Sequence, residues 1–73
     1  MKLSDLIEKN RCIQMVDIRD ENNMTICICR TNSKGVIPYL HCEVLEWFAI
    51  SEQLPIFRKA DFCVLIKSEE VQG

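Results

Sequence analysis

Glycine, proline and clustered basic residues are all scarce in this sequence. Two Gly and two Pro among 73 residues are too few for a disordered or low-complexity chain. The nine Lys and Arg are scattered, and the formal net charge is −2. Since nucleic-acid binders usually carry a basic stripe that neutralises phosphates, we expect no nucleic-acid partner.

Long hydrophobic runs are also lacking. The longest, 47–50 and 62–66, are far shorter than the roughly 20 apolar residues that a transmembrane helix needs, so we expect no membrane partner. Polar residues already occur within positions 1–5, and the apolar stretch of a secretory signal does not follow them. Five cysteines, an odd number, then favour reduced thiols in the cytoplasm. We expect most of these thiols to be small core residues.

The length of the chain sets the number of domains. Seventy-three residues make one domain, 1–73, with no room for a second. A chain this short buries only roughly 60% of the surface that it exposes when unfolded. Its core is therefore thin, and support from a partner would be useful.

The first segment has the pattern of a short helix. Ser4 is a suitable N-cap, and Asp5 lies in the first turn, where the helix dipole favours acids. Leu3 and Leu6 begin an apolar stripe. We therefore predict a helix over residues 4–10.

Two alternating stretches, 12–19 and 24–30, predict a β-hairpin around the polar residues 20–23. A three-residue loop, 21–23, with Asn23 in the left-handed region, fits the pattern. It gathers the branched aliphatics on one buried face, which fixes the register. The predicted cross-strand pairs are Ile18 with Ile26, Val16 with Ile28, Asp17 with Cys27, and Met15 with Cys29. A two-residue turn would place Ile18 opposite Cys27 instead.

The second half predicts a helix and a further strand. A turn at 32–35 precedes a short extended piece at Val36-Ile37, and a helical stripe of Val44, Leu45 and Phe48 predicts a helix over 41–51. Residues 61–67 predict a strand that is apolar on both sides, with Phe62, Val64 and Ile66 on one face and Cys63 and Leu65 on the other. Residues 68–73 form a frayed tail. The fold class is α+β in the order α-β-β-α-β, with a crossover that lays the last strand parallel to the first. A fourth short strand is added if 36–40 or 56–58 is extended.

Metal and thiol chemistry have only weak signals. Cys27 and Cys29, with His41 and Cys42, are ligand types that zinc prefers, but paired C-x-x-C knuckles are missing. A Cys–His dyad needs a third orienting group, and none is evident. We expect no cofactor and no catalysis.

Apolar contact surface is the remaining functional signal. The second face of the hairpin is semi-apolar, and Trp47 lies beside the helical stripe between acidic residues, where Trp is a favoured interface anchor. The residues that we expect to bind a partner are Met15, Cys27, Cys29, Tyr39 and Trp47.

These observations favour a small non-catalytic protein-interaction module. Its size suits an inhibitor or regulator of a larger bacterial or phage protein, and self-association would use the same surface. The alternative is a small zinc domain built on the four Cys and His residues named above. Both hypotheses depend on how the hairpin faces are arranged.

Overall fold

The computed structural model describes residues 1–9, 14–50 and 60–71. In this part of the chain it shows a small α+β domain with one four-stranded mixed sheet, one α-helix and two short 3-10 helices. The elements are α1 (Leu3–Lys9), β1 (Met15–Arg19), β2 (Thr25–Arg30), η1 (Lys34–Tyr39), β3 (Val44–Ala49), β4 (Phe62–Ile66) and η2 (Ser68–Glu70).

The strand order in the sheet is β2-β1-β4-β3. β1 pairs antiparallel with β2 and parallel with β4, while β3 pairs antiparallel with β4. The predicted parallel pairing of the first and last strands and the interior position of β1 are therefore confirmed. β2 and β3 form the two edges.

Helix α1 begins at Leu3, one residue earlier than predicted. Ser4 therefore lies inside the helix, and its predicted role as N-cap is wrong. Asp5 helps to fix the start, because its Oδ2 accepts a hydrogen bond from the backbone N–H of Lys2 at 3.2 Å. Leu3 and Leu6 are buried as the apolar stripe predicted, and residue 10, the predicted end, lies outside the described residues.

The hairpin loop has the predicted three-residue form. The backbone N–H of Asp20 donates to the carbonyl of Met24, and that of Asn23 donates back to Asp20, both at 3.0 Å. Asn23 has φ = 66°, the left-handed conformation that Asn tolerates better than most residues. The carboxylate of Asp20 also accepts the N–H groups of Asn22 and Met24.

The register beyond this loop differs from the prediction because of a β-bulge. Ile18 lies opposite Cys27, while the next pair towards the loop is Arg19 with Thr25, so Ile26 is an extra residue. A one-residue shift moves every later side chain of a strand to the other face. The predicted pairs are therefore wrong, and the observed ones are Val16 with Cys29, Asp17 with Ile28, and Met15 with Arg30.

One face of the sheet, the inner face, carries the core. Its central side chains pack against α1 and Val36 of η1. On β4 the predicted alternation is confirmed, with three residues on the inner face and Cys63 and Leu65 on the other. The inner-face residues of β1 and β4 are Val16, Ile18, Phe62, Val64 and Ile66, all at most 5% exposed.

The predicted helix over 41–51 is wrong, because residues 44–49 form strand β3. The spacing of Val44, Leu45 and Phe48 fits one helical face, but a six-residue edge strand that is apolar on both sides produces the same spacing. β-branched and aromatic residues favour the strand. This segment supplies the fourth strand, since 36–40 lies mostly in η1 and 56–58 falls outside the described residues.

Two shorter segments also differ from the prediction. Val36 and Ile37 belong to the 3-10 helix η1, which contains Pro38, and not to an extended piece. The tail is ordered as far as Val71, which packs against the core. Glu70 fixes it, because its carboxylate accepts the backbone N–H of Glu43 at 2.9 Å. Residues 72–73 lie outside the described part.

Candidate protein-contact surface

The structure separates the residues that were predicted to bind a partner. Cys27 and Cys29 lie on the inner face, opposite Ile18 and Val16, whereas Met15 lies on the other face, the outer face. Tyr39 packs against the core from η1. The predicted contact face of the hairpin, with Met15 beside both cysteines, therefore does not form.

Trp47 is the one predicted contact residue that is well exposed. It lies on β3 with 45% of its surface accessible. Its exposure was predicted, but on a helix and not on a strand. The exposure of its neighbours Leu45 and Phe48 was missed, because the helical interpretation placed both in the core.

The two inner-face thiols of β2 are half-buried beside η1. Cys29 lies close to the backbone of Gly35, where a Cβ atom would be 3.4 Å from the Cys29 Cβ. Burial, with a smaller effect from the neighbouring Cys27, raises the pKa of Cys29 to about 11. Since the thiolate is the reactive form of cysteine, this thiol is a weak nucleophile at neutral pH.

The four proposed zinc ligands are not gathered into a site. Cys42 is fully buried in the hydrophobic core, and burial raises the pKa of its thiol. Across the ranges 1–9, 14–50 and 60–71, no three His, Cys, Asp or Glu side chains lie close enough together to hold a metal ion. The arrangement gives no support to zinc chemistry at Cys27, Cys29, His41 and Cys42.

A polar cluster on the outer face was not predicted. Asp17 is only 5% exposed, yet both of its oxygens are satisfied. One accepts Nε and Nη2 of Arg19 at 3.0 and 2.9 Å, and the other accepts the hydroxyl of Thr25 at 3.0 Å. Arg19 also donates to Asn23 in the loop. The cluster holds the bulged end of the hairpin together, and the alternation of Asp17 and Arg19 was its only sequence signal.

Strand β3 forms an apolar edge of the sheet. Leu45, Trp47 and Phe48 are 47%, 45% and 41% exposed. Trp47 lies opposite Val64 and therefore on the inner-face side, while Phe48 lies opposite Cys63 on the outer-face side. Leu45 is the extra residue of a second bulge. Apolar groups therefore flank this edge on both faces.

The N-terminus covers only the beginning of β3. The backbone N–H of Val44 donates to the carbonyl of Met1 at 2.8 Å, and Lys2 forms an isolated bridge with Glu43. The terminal ammonium also lies 2.9 Å from the Glu43 carboxylate. Among the residues that the structure describes, no other strand pairs with the outward side of β3.

The backbone hydrogen bonds of β3 alternate between its two sides. Ile50, just beyond the strand, donates its N–H to Asp61 at 3.0 Å. In an antiparallel pair every second residue bonds the same neighbour, so Phe48 also bonds β4. The N–H and C=O groups of Trp47 and Ala49 then point away from β4. We call these outward groups, together with the side chains of Leu45, Trp47 and Phe48, the β3 edge.

The fold and this surface define a small α+β domain in which, within residues 1–9, 14–50 and 60–71, β3 is an apolar terminal strand of the sheet. The chain matches no protein-family model, and neither the curated proteins nor the solved structures contain a significant match to it. Within the described residues, no helix is both long enough and apolar enough to cross a membrane.

Proposed function

We propose that this chain is a non-catalytic protein-interaction module that binds an extended segment by strand addition at the β3 edge. The observation that carries the proposal is the exposure of three large apolar side chains beside outward backbone groups on a terminal strand. Strand addition uses both features, since main-chain hydrogen bonds supply affinity and side-chain contacts supply specificity.

The composition of β3 supports this use of the edge. Natural edge strands are usually protected from pairing by Lys, Pro or inward-pointing charges. Val44–Ala49 contains neither Lys nor Pro, and its one charged residue is Glu46. An apolar edge without these devices is prone to pairing, so a partner strand is its natural complement.

The two faces of the edge would hold an added strand from both sides. Trp47 projects on the inner-face side and Phe48 on the outer-face side, as their partners Val64 and Cys63 indicate. Large aromatic residues are enriched at interface centres, where they bury much apolar area. As an inhibitor or regulator, such a module would act by occupying an exposed strand of its target.

Site-specific photo-crosslinking in the host cell tests the proposal. The photoreactive aromatic residue benzoylphenylalanine replaces Phe48 in one variant and Ile37 in the other. Ile37 is the matched control, because it is 56% exposed but lies in η1, which packs beside β2. We expect protein adducts from position 48, and few or none from position 37.

A second change makes the test specific for strand addition. Ala49→Pro removes one outward N–H, and proline is tolerated on an edge strand where its missing N–H faces solvent. Adding Ala49→Pro to the position-48 variant should abolish the adducts while circular dichroism remains native. Equal adduct yields from positions 48 and 37 would contradict the proposal.

A further inference from the structure

We infer that the occupant of the β3 edge is a second copy of this chain, paired antiparallel through β3 about a two-fold axis at Phe48. The inference rests on the proposed function and names the partner. The resulting dimer has one continuous eight-stranded sheet, because β3 of each copy is the terminal strand. A two-fold interface closes on itself and does not propagate.

The outward backbone groups are self-complementary in this register. With Phe48 on the axis, Trp47 of each copy lies opposite Ala49 of the other. These are the two residues whose N–H and C=O groups point away from β4, as the Ile50–Asp61 hydrogen bond indicates. Each Trp47–Ala49 pair exchanges two hydrogen bonds, so the interface gains four.

The side chains also fit this register. On the outer-face side the two Phe48 rings are directly opposite each other, and aromatic cross-strand pairs stabilise sheets. On the inner-face side each Trp47 lies opposite the small Ala49, which leaves room for the indole. Both opposed pairs, Phe48 with Phe48 and Trp47 with Ala49, are apolar, so neither places an apolar side chain against a charge.

Charge disfavours an axis at Glu46, and the number of hydrogen bonds disfavours an axis at Trp47. An axis at Glu46 would place two carboxylates opposite each other, which is destabilising. An axis at Trp47 yields only two hydrogen bonds before the bulge at Leu45 interrupts the ladder. With the axis at Phe48, Glu46 lies opposite Ile50, and Glu43 is neutralised within its own chain by the terminal ammonium at 2.9 Å. The two chains therefore meet along a mainly apolar strip whose remaining charge is Glu46 of each copy.

The size of the contact indicates a weak dimer. A standard stable interface buries about 800 Å² per partner, which is a large part of the 5006 Å² surface of this small chain. A six-residue edge supplies less than that. We therefore expect reversible, concentration-dependent dimers with dissociation constants in the micromolar range or weaker, roughly the affinity of small transient interfaces.

Sedimentation equilibrium with charge-swap variants tests the inference. Wild type should shift from monomer to dimer as its concentration rises. Phe48→Glu and Phe48→Lys should each weaken self-association by about tenfold or more, because like charges then lie directly opposite, whereas an equimolar mixture of the two should restore dimers. Ile37→Glu, at an exposed position on η1, should dimerise like wild type.

Cysteine crosslinking covers the case in which a charged variant unfolds. Directly opposite residues that do not share hydrogen bonds have Cα atoms only about 4.5 Å apart, within the range that a disulfide bridges. Phe48→Cys should therefore form a disulfide-linked dimer under mild oxidation. Trp47→Cys, whose counterpart is Ala49, should form far less, and so should wild type.

Three results would overturn the inference: a wild-type monomer at all concentrations, assemblies larger than a dimer, or equal crosslinking of the two cysteine variants. Larger assemblies would show that β3 pairs with the other edge, β2. If the chain is monomeric but position 48 still crosslinks to a different protein, the inference fails and the proposed function stands. If the chain is monomeric and position 48 forms no protein adducts, both the inference and the proposed function fail.

Discussion

The guanidinium of Arg19 donates two hydrogen bonds to one carboxylate oxygen of Asp17, from Nε at 3.0 Å and Nη2 at 2.9 Å. The two residues are on the same face of β1, two positions apart, and the Asp17 side chain is almost fully buried. Since Arg19 also reaches Asn23 at 2.8 Å, it connects the sheet to the hairpin loop. A buried carboxylate of this kind depends on its partner.

Replacing Arg19 by methionine should destabilise the protein by about 1–3 kcal/mol, because a buried charge loses its hydrogen-bonded partner. Methionine keeps most of the apolar stem, so the loss is mainly electrostatic. Urea unfolding gives the free-energy change. Arg30→Met is the control, since Arg30 lies on the same face but is exposed. Equal losses of unfolding free energy in Arg19→Met and Arg30→Met would show that the hydrogen bonds from Arg19 to Asp17 do not stabilise the fold.

Low pH should weaken the contact between the hairpin loop and η2. The Glu21 carboxylate accepts the backbone N–H of Ser68 at 2.9 Å and its hydroxyl at 2.7 Å. These bonds hold the pKa of Glu21 below its ordinary value of 4.5. A lowered folded-state pKa means that the stabilisation is complete above pH 4.5 and is lost as the pH falls through the lowered pKa.

Urea midpoints of wild type and Glu21→Gln, measured from pH 7 to pH 2, test this linkage. Wild type should be more stable at pH 7, and the difference should shrink below pH 4.5. Glu8→Gln removes the same charge from the exposed side of α1 and serves as the control. A difference between wild type and Glu21→Gln that stays constant across the whole range would refute the assignment.

High pH should destabilise the fold through Cys29. Its pKa of about 11 in the folded protein lies above the ordinary 9.0, because burial disfavours the thiolate. The associated stability is complete below pH 9 and is lost as the pH rises towards 11. At pH 8 the thiolate of Cys29 is therefore much rarer in the folded protein than in the unfolded chain.

Alkylation with iodoacetamide, followed by peptide mass spectrometry, measures this difference. Cys29 should react much more slowly at pH 8 in the native protein than in urea. Native Cys29 reacting as fast as an unfolded thiol would contradict the burial account. It would also be evidence for a thiol-based activity at Cys29.

The hairpin shows where prediction from sequence succeeds and where it stops. The loop at 21–23 was predictable because Asn23 is one of the few residues that tolerate φ > 0. The register was not, because the bulge at Ile26 reverses the faces of the rest of β2. Because the two faces of β2 are similarly apolar, the sequence does not indicate where the extra residue lies. The cysteines were consequently placed on the wrong side.

The candidate site was only partly predictable for a related reason. Trp47 was recognised as an exposed anchor, but an edge strand that is apolar on both faces lacks the alternation by which strands are recognised. β4 is also apolar on both faces, but it was predictable as a strand because polar residues bound a short run of strand-favouring residues. The β3 edge, by contrast, depends on which strand ends the sheet, and only the tertiary arrangement determines that.

Amide hydrogen exchange at Trp47 and Ala49, followed by NMR at low and high protein concentration, shows whether the β3 edge pairs with itself. Both N–H groups should exchange readily in dilute protein and become protected as the concentration rises, while the β4-bonded amide of Phe48 stays protected throughout. Amides of Trp47 and Ala49 that exchange at one rate across the whole concentration range would contradict self-pairing of the β3 edge.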